Sequence, residues 1–474
     1  MSIALALNDL VACDRNRGLD SNNKLPLGHT VSAEQCLKMI PGLDREQVTG
    51  GAIWFDAMAL NTERLNLSFV KSAAELDATV CNYVRACDYI FAKGSVVGAK
   101  VEDVLTGENF DIRATLVVNA SGPWANDFSD SVPGLRKKTP QSWVLATNIV
   151  IRRRLFDNYA VGLSARNYTD SGVMTDKRAR DLFFVPWRSG TMVGTFYRRF
   201  TGSADDCCAE ASDIHDMLRQ INVAYPRASL SPADVSFVHA GLLPEPPRII
   251  NAAGDIQLMK QAVLVDAAKS SHISGLLSLV GIKYTTAPQV AERVVRSAME
   301  ILGRRWVTSL SDNTGRSHRS VDAETTLGEN DVPDTESPDA AARLRKTYGY
   351  EVSAVLRYCS TPEGRQLIGS DEPIFAGQVT YSVKDEMAQC LADVVYRRTG
   401  LGTFGYPGRH ALERCAELMA RELAWTNSKT SAEVETVEQA YSALAEAGCM
   451  ELPKHSHAAS LNFGANVTAP TGEH

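Results

Sequence analysis

Hydrophobic residues along this chain follow two patterns, short apolar runs typical of strands and helical spacing. Both patterns occur in the first part of the chain and helical spacing predominates in the second, which predicts an α+β first part and a helical second part. Short apolar runs bounded by Gly-containing turns predict strands at 50–55, 89–92, 96–101, 110–113 and 115–120. Helical spacing predicts helices at the start of residues 1–31, over 62–76, and after Gly281 as far as Gly303. Ser32-Ala33-Glu34-Gln35 has the pattern of a capping box and predicts a short helix that ends at Pro41-Gly42.

The pattern after residue 140 sets the expected domain boundaries. Residues 140–250 mix strands with a helix, and 181–187 and 191–196 predict a hairpin around Arg188-Ser189-Gly190. Residues 309–340 are polar and acidic, which is typical of a linker. We expect a helical domain over 341–450 and a disordered tail over 451–474. One helix face is predicted to carry Val383, Met387, Leu391 and Val394.

Composition narrows the class of protein. A chain of 474 residues is long enough for two or three domains, and 44% hydrophobic with 22% charged residues is ordinary for a globular protein. The net charge of -7 disfavours nucleic acid as a partner. No apolar run reaches the roughly 20 residues of a membrane span. The ten cysteines include no C-x-x-C pair, which favours reduced thiols over a metal site. The first residues lack the pattern of a signal peptide. From both observations we expect a cytoplasmic protein.

Two strand-to-helix turns have the composition of ligand-binding loops. The first, Leu116 to Trp124 (LVVNASGPW), leaves backbone N–H groups free where a helix begins, which suits a phosphate or an electron-rich ring edge. The second, Ser278 to Ala287 (SLVGIKYTTA), adds Lys283 beside a glycine that lets a ligand approach the backbone. The alternatives stay open: a tight turn for the first, and a helix capped by Thr285 or Thr286 with an exposed lysine for the second.

The hairpin supplies the remaining candidates. Its aromatic residues could line a substrate pocket, and Arg188, Arg198 and Arg199 could hold an anion, although solvated surface charges are the alternative for each arginine. His239 is the histidine placed nearest a candidate site. No G-x-S-x-G nucleophile motif occurs, which fits chemistry performed by a cofactor.

Taken together, these segments resemble the FAD-dependent glycerol-3-phosphate dehydrogenase family over roughly residues 30–425. The matching blocks follow the family's order: 50–57, 96–127, 180–195, 239–246, 275–295 and 381–402. The resemblance implies an α+β fold of the FAD-dependent oxidoreductase (flavoprotein) type over residues 1–308, with its substrate region at about 140–250, and an α-helical C-terminal domain.

The resemblance also implies roles for individual residues. FAD would lie near Gly122, Pro123 and Trp124 and would be wrapped by Gly281, Ile282, Lys283, Tyr284, Thr285 and Thr286. Lys283 and His239 would be catalytic, and Arg188 and Arg198 would bind the substrate, sn-glycerol 3-phosphate. Hydride transfer to the flavin would give dihydroxyacetone phosphate, with a quinone or oxygen as the electron acceptor. Peripheral contact with the inner membrane and a homodimer stay open.

Three departures from the family pattern bear on this interpretation. The family opens with a strand, G-x-G-x-x-G and a helix that hold the FAD pyrophosphate, and no such motif occurs near residue 1. We therefore expect a fold that lacks its N-terminal Rossmann βαβ unit. Leu243 stands where the family often has arginine, and Thr195-Phe196-Tyr197 replaces Thr-Thr-Asp. The alternatives are an oxidase of another hydroxy or amino acid, and a non-catalytic degenerate chain without its cofactor unit.

Overall fold

A computed structural model describes residues 2–17, 24–46, 48–127, 132, 135, 139–140, 142–164, 181–246, 256–305 and 338–452 of the chain. The predicted linker and tail therefore lie almost entirely outside the described residues.

Strands dominate the first three hundred residues and helices the rest. The helices of the first part are α1 Ser2–Val11, α2 Ala33–Met39, α3 Thr62–Glu75, α4 Ala211–Ala224, α5 Ala267–Ser271 and α6 Ala287–Ile301. Its strands are β1 His29–Ser32, β2 Gly50–Ile53, β3 Val84–Ala92, β4 Ser95–Asp103, β5 Asn109–Arg113, β6 Val117–Asn119, β7 Ser142–Ile151, β8 Val161–Ser164, β9 Asp181–Trp187, β10 Gly190–Phe200, β11 Val235–Glu245, β12 Val263–Asp266 and β13 Leu276–Val280.

The C-terminal part contains six α-helices in its described residues. They are α7 Pro338–Tyr348, α8 Val352–Cys359, α9 Ala376–Lys384, α10 Arg409–Leu423, α11 Asn427–Gln439 and α12 Ser442–Glu446. Two short strands, β14 Leu367–Ile368 and β15 Ile374–Phe375, pair within it, and Asp393–Arg398 form a π-helix.

The largest sheet has five antiparallel strands in the order β11-β7-β10-β9-β8. One face is covered by α4, whose Ile214, Met217 and Ile221 are fully or almost fully buried. The hairpin between β9 and β10 was predicted, and its turn places Arg188 in the left-handed region at φ 51°. The sheet therefore has one face in the core and a second face available for a site.

A smaller sheet carries the two predicted ligand-binding turns. Its order is β12-β13-β6, and β13 runs parallel to β6 with Leu276 opposite Val117. β13 is almost fully buried, as its run of Leu and Val predicts, whereas β6 leaves Val118 exposed and buries Asn119. A third sheet, β3-β4-β5, adjoins it through a bridge between Ser95 and Ser274.

One hydrophobic core joins the five-stranded sheet to the C-terminal helices. Ile149 and Val193 of the sheet belong to the same buried cluster as Leu391, Leu412 and Met419. An ion pair between Arg64 of α3 and Glu386 adds a buried polar link. The predicted division at 309–340 stays a prediction, and the shared core indicates that the two parts are packed tightly together.

Local structure corrects two expectations. The helix face predicted for Val383, Met387, Leu391 and Val394 is wrong, because α9 ends at Lys384 and Met387 adopts a left-handed conformation at φ 57°. The segment after Ser121 is a five-residue 3₁₀ turn, Gly122–Asn126, rather than a full helix. By contrast, the Ser32 capping box is confirmed, with Gln35 N donating to Ser32 Oγ and Ser32 N donating to Gln35 Oε1.

Candidate functional site

The two predicted turns lie at the same edge of the small sheet. Because β6 and β13 are parallel neighbours, the residues that follow Asn119 and Val280 leave the sheet side by side. Ligands of open α/β sheets bind outside the carboxyl ends of such strands. The structure therefore places Gly122–Trp124 and Gly281–Thr286 at one edge of the sheet, and their role in holding FAD stays a prediction.

The first turn is held by a buried asparagine. Asn119 Oδ1 accepts hydrogen bonds from Ser121 N at 3.1 Å and Ser121 Oγ at 2.6 Å, and Asn119 Nδ2 donates to Tyr89 Oη. Gly122 follows at φ 60°, with no atom within 4 Å of the position a Cβ would take. Trp124 Nε1 donates to Asp205 Oδ1 at 2.8 Å, which ties this turn to the substrate region.

The second turn is open to solvent. Gly281 and Lys283 are exposed, and no atom lies within 4 Å of a Cβ built on Gly281. Thr286 occupies the N-cap position of α6, but its hydroxyl donates to Lys283 O rather than capping the helix. Partial burial and the charge of Glu63 raise the pKa of Tyr284. The turn thus presents backbone, a cation and an aromatic ring to one space.

A cleft of about 550 Å³ opens on the exposed face of the five-stranded sheet. Its lining comes from β7, β9 and β10 and consists of Asn148, Asp181, Phe183, Val185, Met192, Gly194, Thr195 and Tyr197. Phe183 also packs edge to face against Trp54, with ring centres 6.2 Å apart. The volume lies within the range of small-molecule sites, and half of the lining residues are polar or charged.

His239 lies on the same sheet, on β11, with an unsatisfied ring nitrogen. Nε2 is buried and has no hydrogen-bond partner. Trp187 and Phe237 contact the ring edge to face, with centres 5.5 and 4.9 Å away. Burial and the charge of Arg188 lower the pKa of His239 to about 4, and the backbone of Thr403 opposes the shift. The ring is therefore neutral at pH 7.

Arg188 connects the hairpin with the C-terminal part. Its Nη1 donates to Gly400 O at 2.9 Å, and the guanidinium stacks on Trp187 at 4.5 Å. Burial lowers the pKa of Arg188, and the carboxylates of Glu372 and Glu63 counteract that effect. The same Glu63 carboxylate also raises the pKa of Tyr284 in the second turn.

The other arginines of the hairpin are engaged with carboxylates. Arg198 Nε donates to Asp213 Oδ1 at 2.8 Å, and its Nη2 reaches Glu210 at 3.1 Å. Arg199 Nη2 lies 3.5 Å from Glu245. These contacts fix β10 to α4 and β11, and they supply no support for Arg198 as a substrate ligand, which stays a prediction.

The sequence contains a G-x-G-x-x-G spacing away from residue 1, at Gly400, Gly402 and Gly405. It follows the π-helix rather than a strand, and a Cβ on Gly402 would lie 2.5 Å from both Tyr441 Oη and Val395 Cγ1. These glycines serve close packing. Within the described ranges, no Gly-rich strand-to-helix turn of the dinucleotide-binding type occurs.

Sequence reasoning missed Asn148, whose side chain lines the cleft. Thr195 Oγ1 donates to Asn148 Oδ1 at 3.0 Å. An isolated asparagine in an apolar strand pattern, WVLATNIVI, was the available signal, since a polar residue on a buried strand needs a partner.

Among the described residues, no cluster of three or more His, Cys, Asp or Glu could hold a metal ion, and no helix is long and apolar enough to cross a bilayer.

Comparison with known proteins gives two matching families and a set of relatives. Residues 3–296 match FAD dependent oxidoreductase, and 290–430 match the C-terminal domain of alpha-glycerophosphate oxidase. The chain is 28% identical to the mitochondrial glycerol-3-phosphate dehydrogenase of Bos taurus, over 92% of this chain and 58% of that protein. It is 26% identical to the glycerol-3-phosphate dehydrogenase of Synechocystis sp., over 88% and 75% respectively. The chain thus spans just over half the length of its mitochondrial relatives.

A solved structure confirms the fold. The glycerol-3-phosphate dehydrogenase from Bacillus halodurans, complexed with FAD, superposes with a TM-score of 0.67 at 23% identity, over 88% of this chain and 79% of that one. Mixed sheets followed by a helical C-terminal domain are common to both. Since the first family match alone covers more than half of the sequence, the chain belongs to the FAD dependent oxidoreductase family.

Proposed function

We propose that this chain oxidises sn-glycerol 3-phosphate to dihydroxyacetone phosphate with FAD as its cofactor. The observation that carries the proposal is the pair of open turns at one edge of β6 and β13. The relatives named glycerol-3-phosphate dehydrogenase support the substrate.

The residues at this edge fit one part of FAD. Gly122 and Gly281 leave the backbone uncovered where a flat ring could approach, and Ser278 Oγ is buried beneath them without a hydrogen-bond partner. Tyr284 adds an exposed aromatic ring. FAD, when bound here, would supply the acceptor for a hydride from the carbinol carbon. Lys283 would stabilise negative charge that develops at the turn.

The substrate would occupy the cleft on the five-stranded sheet. Phe183, Val185 and Met192 would exclude water, and Asn148 and Thr195 would orient hydroxyl groups. His239 would take part as a neutral imidazole, since its pKa of about 4 leaves it unprotonated at pH 7. Arg188 would contribute positive potential near the second turn. A quinone or oxygen would accept the electrons, and peripheral membrane contact and a homodimer stay open.

A second candidate is oxidation of another hydroxy or amino acid on the same fold. Asp181 places a carboxylate in the cleft, Leu243 stands where the family often has arginine, and Arg198 is already paired with two acidic residues. A cationic amino group would suit Asp181 better than a phosphate would. The third alternative, a non-catalytic chain, is decided by whether the purified protein holds flavin.

The test is to purify the chain, measure its visible absorbance, and supply substrates with either oxygen or a soluble quinone. Flavin absorbance with dihydroxyacetone phosphate formed from glycerol 3-phosphate is the expected result. Flavin with turnover of a hydroxy or amino acid alone would favour the second candidate. A colourless protein that stays inactive after incubation with FAD would support the non-catalytic alternative and refute the proposal.

A further inference from the structure

We propose that Asn148 and His239 act as a pair on a substrate hydroxyl group: the Asn148 amide donates a hydrogen bond to the oxygen, and His239 Nε2 accepts the proton. This inference rests on the proposed function, since it names the groups that would handle the alcohol in the cleft.

Strand register places the two side chains next to each other. His239 of β11 stands directly opposite Asn148 of β7. Directly opposed residues of an antiparallel ladder project from the same face, with Cβ atoms roughly 4.5–5.5 Å apart. The face in question is the one that carries the cleft, because Asn148 lines it. Asn148 lines the cleft, whereas His239 Nε2 is buried, so a hydroxyl group must enter between the two side chains to meet both.

The contacts of Asn148 determine which of its side-chain atoms can bind a ligand in the cleft. Thr195 Oγ1 donates to Asn148 Oδ1 at 3.0 Å, so the acceptor is already used. A Cβ on Gly194 would lie 2.0 Å from the same Oδ1, so glycine is needed for the asparagine to sit there. Among the described residues nothing accepts from Nδ2, which leaves its N–H groups for an oxygen in the cleft.

The surroundings of His239 leave one of its ring nitrogens available as an acceptor. Nε2 is buried and has no hydrogen-bond partner. A neutral imidazole carries a proton on only one ring nitrogen, and we place it on Nδ1, which leaves Nε2 as the acceptor. The aromatic rings of Trp187 and Phe237 and the charge of Arg188 surround it and disfavour the imidazolium. Nε2 is thus a proton acceptor with no competing partner.

The chemical step balances with these two groups. The O–H bond of the secondary alcohol breaks, its proton goes to His239 Nε2, and its electron pair forms the C=O bond. The C–H bond of the same carbon would break as well, and FAD, when bound as in the proposed function, would supply the acceptor for its hydride. Asn148 holds the oxygen throughout, and an amide suits this role because it donates without titrating.

The first experiment needs no bound cofactor. The protonation of the His239 ring is followed by NMR as the pH is varied, with His239→Gln used to assign the signal. Asn148→Asp keeps the size of the side chain and adds a carboxylate beside the ring, so the pKa of His239 should rise by about one pH unit or more. Asn109→Asp, which adds the same charge on exposed β5, is the matched control and should leave it unchanged.

The second experiment measures binding and turnover. Asn148→Ala should weaken the binding of glycerol 3-phosphate, measured by calorimetry, at least about tenfold. The reason is that the substrate oxygen loses the hydrogen bond donated by the Asn148 amide. Asn109→Ala, which removes an exposed asparagine of β5, is the matched control and should bind normally. In the FAD-loaded protein, His239→Gln should lower kcat far more than it changes KM, because the proton transfer belongs to the transition state.

The outcomes separate the two claims. An unmoved His239 titration in Asn148→Asp, or unchanged binding by Asn148→Ala, would overturn the pair. If wild-type protein binds no glycerol 3-phosphate while Asn148→Asp shifts the titration of His239 as expected, the proposed substrate is refuted and the adjacency of the two groups is supported.

Discussion

Acidification should destabilise this protein through His239 in a defined pH window. Its pKa in the folded chain is about 4, against an ordinary value of 6.5. Between these values the unfolded chain binds a proton that the folded chain does not, so stability must fall as the pH drops. The contribution is fully present above pH 6.5 and is lost progressively toward pH 4.

The size of the effect follows from the gap between the two pKa values. One pKa unit corresponds to about 1.4 kcal/mol, so the whole gap is worth about 3 kcal/mol, of which about 2.5 kcal/mol is lost by pH 4.5. This is a large share of the roughly 5–15 kcal/mol that keeps a domain folded.

The assay compares wild-type protein with His239→Gln in urea at pH 7.5, 6.0 and 4.5. Glutamine cannot titrate, so the difference in unfolding free energy between the two proteins should change by about 2.5 kcal/mol across this range. His215→Gln replaces an exposed histidine on α4 and serves as the control. A difference between wild type and His239→Gln that stays constant with pH would refute the reasoning.

Four further predictions concern other parts of the molecule. Lys283→Met should lower turnover of the flavin-loaded enzyme at least about tenfold with the fold intact, because the turn loses its cation; steady-state kinetics and circular dichroism check this. Glu386→Gln should cost about 2 kcal/mol in urea unfolding, because buried Arg64 loses a charged partner. Gly402→Ala should cost about 1–3 kcal/mol by overpacking, measured in the same way. Limited proteolysis should cut within 309–340, yet the fragments should coelute on gel filtration, because their cores are shared.

Matched controls make these outcomes specific. Lys269→Met removes an exposed lysine from α5 and should leave turnover unchanged. Glu292→Gln breaks an exposed pair of α6 and should cost less than about 0.5 kcal/mol. Gly241→Ala adds a methyl group where no atom lies within 4 Å and should be nearly neutral. Equal effects of a variant and its control, or fragments that separate freely, would contradict the corresponding explanation.

Local features were predictable because their causes are local. The capping box at Ser32 and the hairpin around Arg188 depend on residues a few positions apart, and both appear in the structure. The two turns proposed to bind a ligand could also be located, since each follows a short apolar strand. That they meet at one edge depends on the parallel pairing of β6 with β13, and the sequence supported that pairing only through the family resemblance.

The features that were missed depend on distant contacts. Asn148 belongs to the cleft because β7 lies between β11 and β10, an order that no local pattern contains. Met387 was placed on a regular helix because its neighbours have helical spacing, but Asp393 accepts hydrogen bonds from Gln389 N and Cys390 N and helps to fix a different turn. The spacing of apolar residues shows only their periodicity. It does not show that a side chain such as Asp393 accepts hydrogen bonds from nearby backbone N–H groups.

The Arg64–Glu386 ion pair has a consequence for how this protein is made. Its partners are 322 positions apart in the sequence. At a synthesis rate of roughly 5–20 residues per second, about 16 to 64 seconds pass between the appearance of the arginine and that of its glutamate. Throughout that interval the nascent chain keeps a face of α3 uncovered on the ribosome. We therefore expect α3 to remain protease-sensitive and accessible to chaperones until synthesis of the C-terminal helices is nearly complete.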